Sequence, residues 1–300
     1  MGSVHQGKSN SIEIIDLDLS ARTCQNLPAF PVAVEGSIGG TGFQDEPIIC
    51  GGEVQNNYAE SNCFSFKNNK WIPSAGMIRA RALTAISPFS SKPSKLLVTG
   101  GYYIKSYQLS TAEVLTEQGW KILSPSLPIT IFYHCSVLYN ATTVMIIGGY
   151  QNGLRSPNTF LFNTENEVWM EGPPLMIERN SHSCGRIRQG SHSNEFSIIV
   201  AGGWNDSQMS SVEILDRGTN EWRRGPDLPY GIQLSQMIED QHGGVVLVGG
   251  QSSEVQRLDS LFRLPHGGAY AVWTKMEQKL KMGRYWHTAF LVPDNIVDCN

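Results

Sequence analysis

The sequence lacks long apolar runs, basic tracts, C-x-x-C cysteine pairs and sustained helical periodicity. No stretch approaches the roughly 18 to 20 apolar residues that a membrane-spanning helix needs, so no span is expected. Lys and Arg number 23 against 27 Asp and Glu, a formal charge of −4. No cationic run tracks a phosphate backbone, and nucleic acid is not an expected partner. The six cysteines, Cys24, Cys50, Cys63, Cys135, Cys184 and Cys299, are scattered, which removes the clustered thiolates of a compact zinc site. The charged run "TKMEQKLKMG" at 274–283 comes nearest to a helical turn, and a solvated loop is expected there. The opening "MGSVHQGKSN" is polar and does not read as a signal peptide. What the 300 residues do have is glycine (30), proline (15) and 40% apolar side chains. That composition belongs to a turn-rich globular protein and not to a disordered one.

Five apolar runs end in a glycine pair: "PIICGGE" (Gly51, Gly52), "LLVTGGY" (Gly100, Gly101), "VMIIGGY" (Gly148, Gly149), "IIVAGGW" (Gly202, Gly203) and "VVLVGGQ" (Gly249, Gly250). Successive first glycines are 49, 48, 54 and 47 residues apart. A tryptophan follows each pair, at Trp71, Trp120, Trp169, Trp222 and Trp273, four of them 20 or 21 residues after the first glycine and the last 24 after. A period near 50 residues means stacked supersecondary units.

Each unit reads as four β-strands. The short β-branched run before the glycines is a buried strand b. Alternating segments such as "NCFSFKN", "TAEVLTE", "NTFLFNT" and "SVEILDR" make strand c, with one packed and one wetter face. A turn leads to the tryptophan strand d, and segments such as "RALTAIS", "HCSVLYN" and "HTAFLV" supply strand a. Four strands repeated at this period point to a β-propeller.

The apolar run ending in Gly-Gly, the "SSVEILD" and "STAEVLT" segments, the tryptophan and the Arg-x-x-His starts at Arg179/His182 and Arg284/His287 resemble the kelch-repeat family over nearly the whole chain. The resemblance implies an all-β, six-bladed kelch-type propeller, four antiparallel strands per blade, in one domain spanning 1–300. Internal repeats are expected at about 29–76, 77–128, 129–175, 176–229 and 230–283. The closing blade is expected from about 11–28 plus 286–300, shared by both chain ends, because closure removes exposed strand edges. Cys24 takes the place of its tryptophan.

The glycine pairs and the tryptophans are expected to be structural: glycine permits positive φ and close approach, and tryptophan fills the wedge between blades. His134, His182 and His287 start strand a in three units, with Leu83 at that place in another. A ring of imidazoles would suit a metal, but no carboxylate or cysteine shares their spacing, so no metal and no cofactor are expected. Cys50 and Cys63 lie on neighbouring antiparallel strands within disulfide range. Buried free thiols are the alternative for all six cysteines, and strand c is expected to separate Cys24 from Cys299.

In such a blade the b–c and d–a loops open on one face, where kelch propellers commonly bind partners. The b–c residues there are Tyr102, Tyr103, Tyr150, Gln151, Trp204 and Asn205. The d–a residues are Arg79, Arg81, Phe132, Tyr133, Arg179, Asn180, Arg284, Tyr285 and Trp286. Tyrosine, tryptophan and arginine are the types enriched at interface hot spots. The opposite face carries the long a–b excursion "RIRQGSHSNE" at 186–195.

The expected function is therefore a non-enzymatic module that binds a protein or peptide, in a substrate-recruiting, cytoskeletal or extracellular adhesion role. By family resemblance, actin and ubiquitin-ligase substrates are among the partners implied. A BTB domain ahead of the propeller is not expected, since the first strand begins near Ser11. The alternative is a propeller enzyme. A copper oxidase needs a cross-linked tyrosine–cysteine pair with a second tyrosine and two histidines, which this sequence does not place on one face. A sugar mutarotase needs a carboxylate and an arginine over the channel. Arg79, Arg179 and Arg284 would supply the charge, and no carboxylate partner stands out. The polar start favours the cytoplasm. The sequons at Asn140 and Asn205 and the even cysteine count favour an extracellular setting, with a signal peptide missing from this sequence.

Overall fold

The computed structural model describes residues 8–17, 26–42, 45–55, 58–89, 95–104, 107–190, 195–267, 271–293 and 296. Five four-stranded antiparallel sheets, each in the order a-b-c-d, follow one another along the chain. The first comprises Ile38–Thr41, Pro47–Cys50, Cys63–Lys67 and Lys70–Ser74. The second comprises Ala85–Phe89, Lys95–Thr99, Ala112–Thr116 and Gly119–Ile122. The third runs through Cys135–Asn140, Thr143–Ile147, Thr159–Asn163 and Val168–Glu171, and the fourth through Ser183–Arg188, Phe196–Ala201, Val212–Asp216 and Glu221–Arg224. The fifth holds Gln236–Glu239, Val245–Val248, Ser260–Leu264 and Thr274–Lys279. The fold is an all-β propeller. Among the described residues no helix is long and apolar enough to cross a membrane.

The apolar runs of strand b have a simple cause. Val144, Met145, Ile146 and Ile147 are all 0% exposed, because both faces of the strand meet neighbouring blades and alternation would bury polar groups. Leu97 and Val114 of the second blade pack with Val144, Ile146 and Phe162 of the third, and equivalent layers join the third to the fourth and the fourth to the fifth. The tryptophans stitch these layers together. Each indole N–H donates to a carbonyl just past strand d of the preceding unit: Trp120 to Ala75 at 3.0 Å, Trp169 to Pro125 at 3.1 Å, Trp222 to Pro173 at 2.8 Å and Trp273 to Pro226 at 2.9 Å.

The glycine pairs make room for the histidines. A Cβ on Gly148 would lie 2.7 Å from His182 Cε1, and one on Gly203 would lie 2.9 Å from His182 Cβ. Both glycines also have positive φ, 58° and 102°, which side chains disfavour. His182 therefore sits in a slot between the first glycine of one blade and the second glycine of its own. His134 and His287 occupy the corresponding slots beside Gly100 and Gly249.

One residue before each slot, the backbone forms a closed ring. Leu83 N–H donates to Gly36, Tyr133 to Leu83, Ser181 to Tyr133, Leu234 to Ser181, Trp286 to Leu234 and Gly36 to Trp286, all at 2.8–3.2 Å. All six residues have φ between 50° and 62°. This corrects the alignment of Leu83 with the histidines by one residue. Leu83 belongs to the ring, and Thr84, whose Cβ faces Gly101, takes the histidine's place.

The described segments 8–17 and 281–292 come together between the fifth blade and the first. Trp71 Nε1 donates to Pro28 O at 3.2 Å, as the other tryptophans do to their preceding units. Ile15 and Leu17 pack on Val246 and Val248 of the fifth blade. Phe290 lies where a Cβ on Gly39 of the first blade would fall. A cavity of about 550 Å³ between the end segments is walled by Ile12, Ile14, Phe66, Trp71, Ile238 and Phe290.

One further expectation needs amendment. The run at 274–283 is not a loop: Thr274–Lys279 is an outer strand d, where Met276 turns to the core and the lysines and glutamate face water. Charges on an outer edge also discourage strand addition. Cys50 and Cys63 are cross-strand partners and form a disulfide, Cα–Cα 4.1 Å. A second bridge, not anticipated, joins Cys135 to Cys184 with Cα–Cα 6.0 Å, linking strands a of two consecutive blades. Cys24 and Cys299 lie outside the described residues.

Candidate interaction face

The b–c hairpins and d–a crossings share one face because their backbones are bonded together. Bridges pair Glu35 with Glu53, Ala82 with Tyr102, Phe132 with Tyr150, Asn180 with Trp204 and Gln233 with Gln251. In the first two blades the hairpins fuse. Glu53–Gln55, Tyr58–Ala59, Tyr102–Ile104 and Tyr107–Gln108 form one four-stranded sheet standing on the face.

Aromatic rings cover this side. Phe132 lies 6.0 Å from Tyr102, 4.8 Å from Tyr133 and 5.4 Å from Tyr150, centroid to centroid. Tyr133 stacks on Trp286 at 6.2 Å, so two ring positions meet over the axis, and Tyr285 packs on Trp286 at 5.3 Å. Tyr103 is 45% exposed. Gln151, Trp204 and Asn205 are half-buried. Asn205 Oδ1 accepts from Arg155 Nε at 2.8 Å, whereas Asn140 is exposed and accepts from Thr142 N–H at 2.9 Å in its a–b turn. The excursion at 186–195 lies partly outside the described residues.

Several predicted contact residues face inward. Arg81 and Arg179 are 0% exposed and present nothing to a partner. Arg179 donates to Gly202 O and Ser211 O, both at 2.9 Å, and to Glu213 Oε1 at 2.7 Å. Glu213 also accepts Met176 N–H at 2.7 Å and Ile177 N–H at 3.2 Å. Arg81 repeats this with Gly100, Thr111 and Glu113. Burial pushes both guanidinium groups below the usual arginine range, and the glutamates counter it. Arg284 is half-buried and makes the same contacts with Ser11 and Glu13, while Glu13 accepts the N–H groups of Lys281 and Met282. Asn180 is also buried, held by its backbone bridge. Arg79 alone of the predicted arginines is exposed. Carboxylate partners for Arg179 and Arg284 thus exist, but they brace the blades instead of opening on the channel mouth.

His134 is a brace too. His134 Nε2 pairs with Thr99 Oγ1 at 2.9 Å. Burial holds His134, His182 and His287 down at about 3, so each imidazole is neutral at physiological pH. They occupy separate slots, and no group of three His, Cys, Asp or Glu able to hold a metal occurs among the described residues.

Sequence reasoning passed over several residues of this face. Tyr58, Tyr107 and Leu154 are 52%, 62% and 73% exposed. Each lies farther along a b–c loop than the residues directly after Gly-Gly, so reading whole loops would have found them. Glu53 is buried and takes the Tyr102 hydroxyl. Burial and the Glu53 charge push the Tyr102 phenol up, and burial with Glu35 and Glu53 pushes Tyr133 up.

The class defined by these sheets is the β-propeller. A solved structure titled "Structure of YjhT" superposes with a TM-score of 0.69 over 84% of this chain and 87% of that one, at 14% identity, which is a likeness of fold. Within the class, residues 197–229 match the Kelch motif. Human Kelch-like protein 38 is 26% identical over 212 residues, covering 67% of this chain and 34% of its own length. An Arabidopsis thaliana F-box/kelch-repeat protein is 30% identical over 99 residues, 32% of this chain and 35% of that protein. The chain thus spans about a third of the length of these relatives. Motif, relatives and repeating architecture make the chain similar to the kelch-repeat family.

Proposed function

We propose that this chain is a six-bladed propeller whose end segments, about 11–28 and 286–300, supply the closing blade, and that it works as a non-enzymatic module binding a protein or peptide on the b–c/d–a face. The closing blade is supported by the sixth ring position at Trp286, by Pro28 receiving the Trp71 indole, and by Glu13 bracing Arg284.

The observation that carries the binding role is the run of exposed large side chains on one face: Tyr58, Tyr103, Tyr107 and Leu154, beside the Phe132–Tyr133–Trp286 cluster. Contiguous exposed apolar surface on an otherwise well-packed molecule marks interaction sites, and rigid aromatics bind at low entropic cost. The kelch-like and F-box/kelch names of the relatives agree with such a module. A pull-down comparing wild type with Tyr133→Ala and Trp204→Ala tests it. Loss of bound partners from both variants, with melting unchanged, is expected; unchanged recovery of every partner would overturn the face.

The two disulfides favour the extracellular alternative over the cytoplasm, because such bridges persist in oxidising compartments. Alkylation of the unreduced protein should leave Cys50, Cys63, Cys135 and Cys184 unlabelled; labelled sulfurs at these positions would return the protein to a reducing compartment.

A further inference from the structure

Lys8 precedes the first strand, yet it reaches the binding face. Ser9 pairs antiparallel with Val34, with N–H···O distances of 3.3 and 3.2 Å. That pairing brings Lys8 Nζ to 3.1 Å from Glu53 Oε1. Glu53 is 8% exposed. Its other oxygen accepts the Tyr102 hydroxyl, and Tyr102 packs edge-on against Phe132. Glu35 is bridged to Glu53 through the backbone, and both carboxylates act on the Tyr133 phenol beside them.

A carboxylate taken this far out of water demands a cation or several donors, and one phenol does not replace its hydration. Aromatic walls suit the alkyl stem and charged head of lysine or arginine. The corner's Lys8 shares a pocket with Tyr58, whose ring lies 6.2 Å from that of Tyr103, and both tyrosines are exposed. The corner therefore combines a buried negative charge, aromatic walls and exposed anchors, and a lysine of this chain is already seated in it.

We propose that the Glu53–Tyr102–Tyr133 corner recognises a basic side chain of a peptide partner, and that Lys8 holds that place in the free chain. This rests on the face assignment above and names the chemistry of its partner. Lys8 acts as an intramolecular competitor, so its removal raises the fraction of corners open to a partner.

The experiment uses the full chain and two labelled nonapeptides, Gly-Lys-Ser repeated three times and its Gly-Glu-Ser counterpart, read by fluorescence anisotropy. The Lys8→Met variant should bind the lysine peptide about tenfold more tightly than wild type, the factor expected if Lys8 fills about nine corners in ten. Glu53→Gln should abolish that binding in both backgrounds, and the glutamate peptide should bind none of them. Equal affinity of wild type and Lys8→Met, retained binding by Glu53→Gln, or preference for the glutamate peptide would each overturn the proposal. Lys8 lies outside the blade cores, so the Lys8→Met comparison remains decisive even if Glu53→Gln folds poorly. If Tyr133→Ala and Trp204→Ala lose partners while Lys8→Met changes nothing, the face stands and the basic-residue corner falls.

Discussion

Arg179 and Ile232 open consecutive units at the same place, since the carbonyl of each accepts the N–H of the preceding blade's second glycine, Gly149 or Gly203. Their chemistry is opposite. Arg179 reaches Glu213, which sits across from Val200 in strand b. In the fifth blade the residue at the glutamate's place, opposite Leu247, is Phe262. The second and third blades repeat the contrast. Arg81 pairs with Glu113, opposite Val98; Ile131 is matched with Phe160, opposite Ile146. Arg81, Ile131, Arg179 and Ile232 are all 0% exposed. The fold requires the space to be filled and every polar group in it to be satisfied; it does not require a charge. What the ion pair adds is a hold on the d–a crossing, because Glu113 and Glu213 cap backbone N–H groups there.

The contrast can be broken first by removing half of a pair. Glu213→Gln leaves a buried guanidinium without its counter-charge and should cost about 3–5 kcal/mol, read as a shift in denaturant midpoint. Glu13→Gln alters the same contact at the chain ends, where side-chain exposure is 19% for Arg284 and 10% for Glu13. Its cost should be smaller, about 1–3 kcal/mol. Wild-type stability for Glu13→Gln would mean that the N-terminal segment does not seal the ring. The smallest effect should come from converting one unit into the other kind. Arg179→Ile with Glu213→Phe should fall within about 1.5 kcal/mol of wild type, as apolar replacement of buried ion pairs often does. A loss as large as that of Glu213→Gln alone would show that the charge itself is needed.

The propeller was legible because it repeats. Gly-Gly and tryptophan recur five times, and each copy solves the same packing problem. Leu83, Tyr133, Ser181, Leu234 and Trp286 escaped alignment because they share a backbone angle and no side-chain chemistry. Arg81 and Arg179 read as contact residues in the sequence because they fall in d–a loops and arginine is enriched at interface hot spots. The signal against that was present: "TAEVL" and "SVEIL" carry a glutamate at the same place, as does "SIEII". The Cys135–Cys184 bridge joins residues 49 apart in different units, and only the ring geometry brings their strands together. The Glu53 corner depends on Lys8 and on fused hairpins, neither of which has a periodic signature.

The six-membered backbone ring sets how this surface can evolve. Each member's N–H donates to its neighbour's carbonyl, so the rim of the axis is saturated by main chain and owes its shape to φ alone. The side chains that rise from it, Leu83, Tyr133, Ser181, Leu234 and Trp286, bear little of the frame's integrity. Left-handed residues other than glycine carry a modest strain wherever they occur, so exchanging one for another leaves that strain almost unchanged. The rim works as an iris whose lining can be rewritten one position at a time, and Gly36, next to Glu35, is its single unlined notch. New specificities can thus arise at the mouth without renegotiating the blades beneath it.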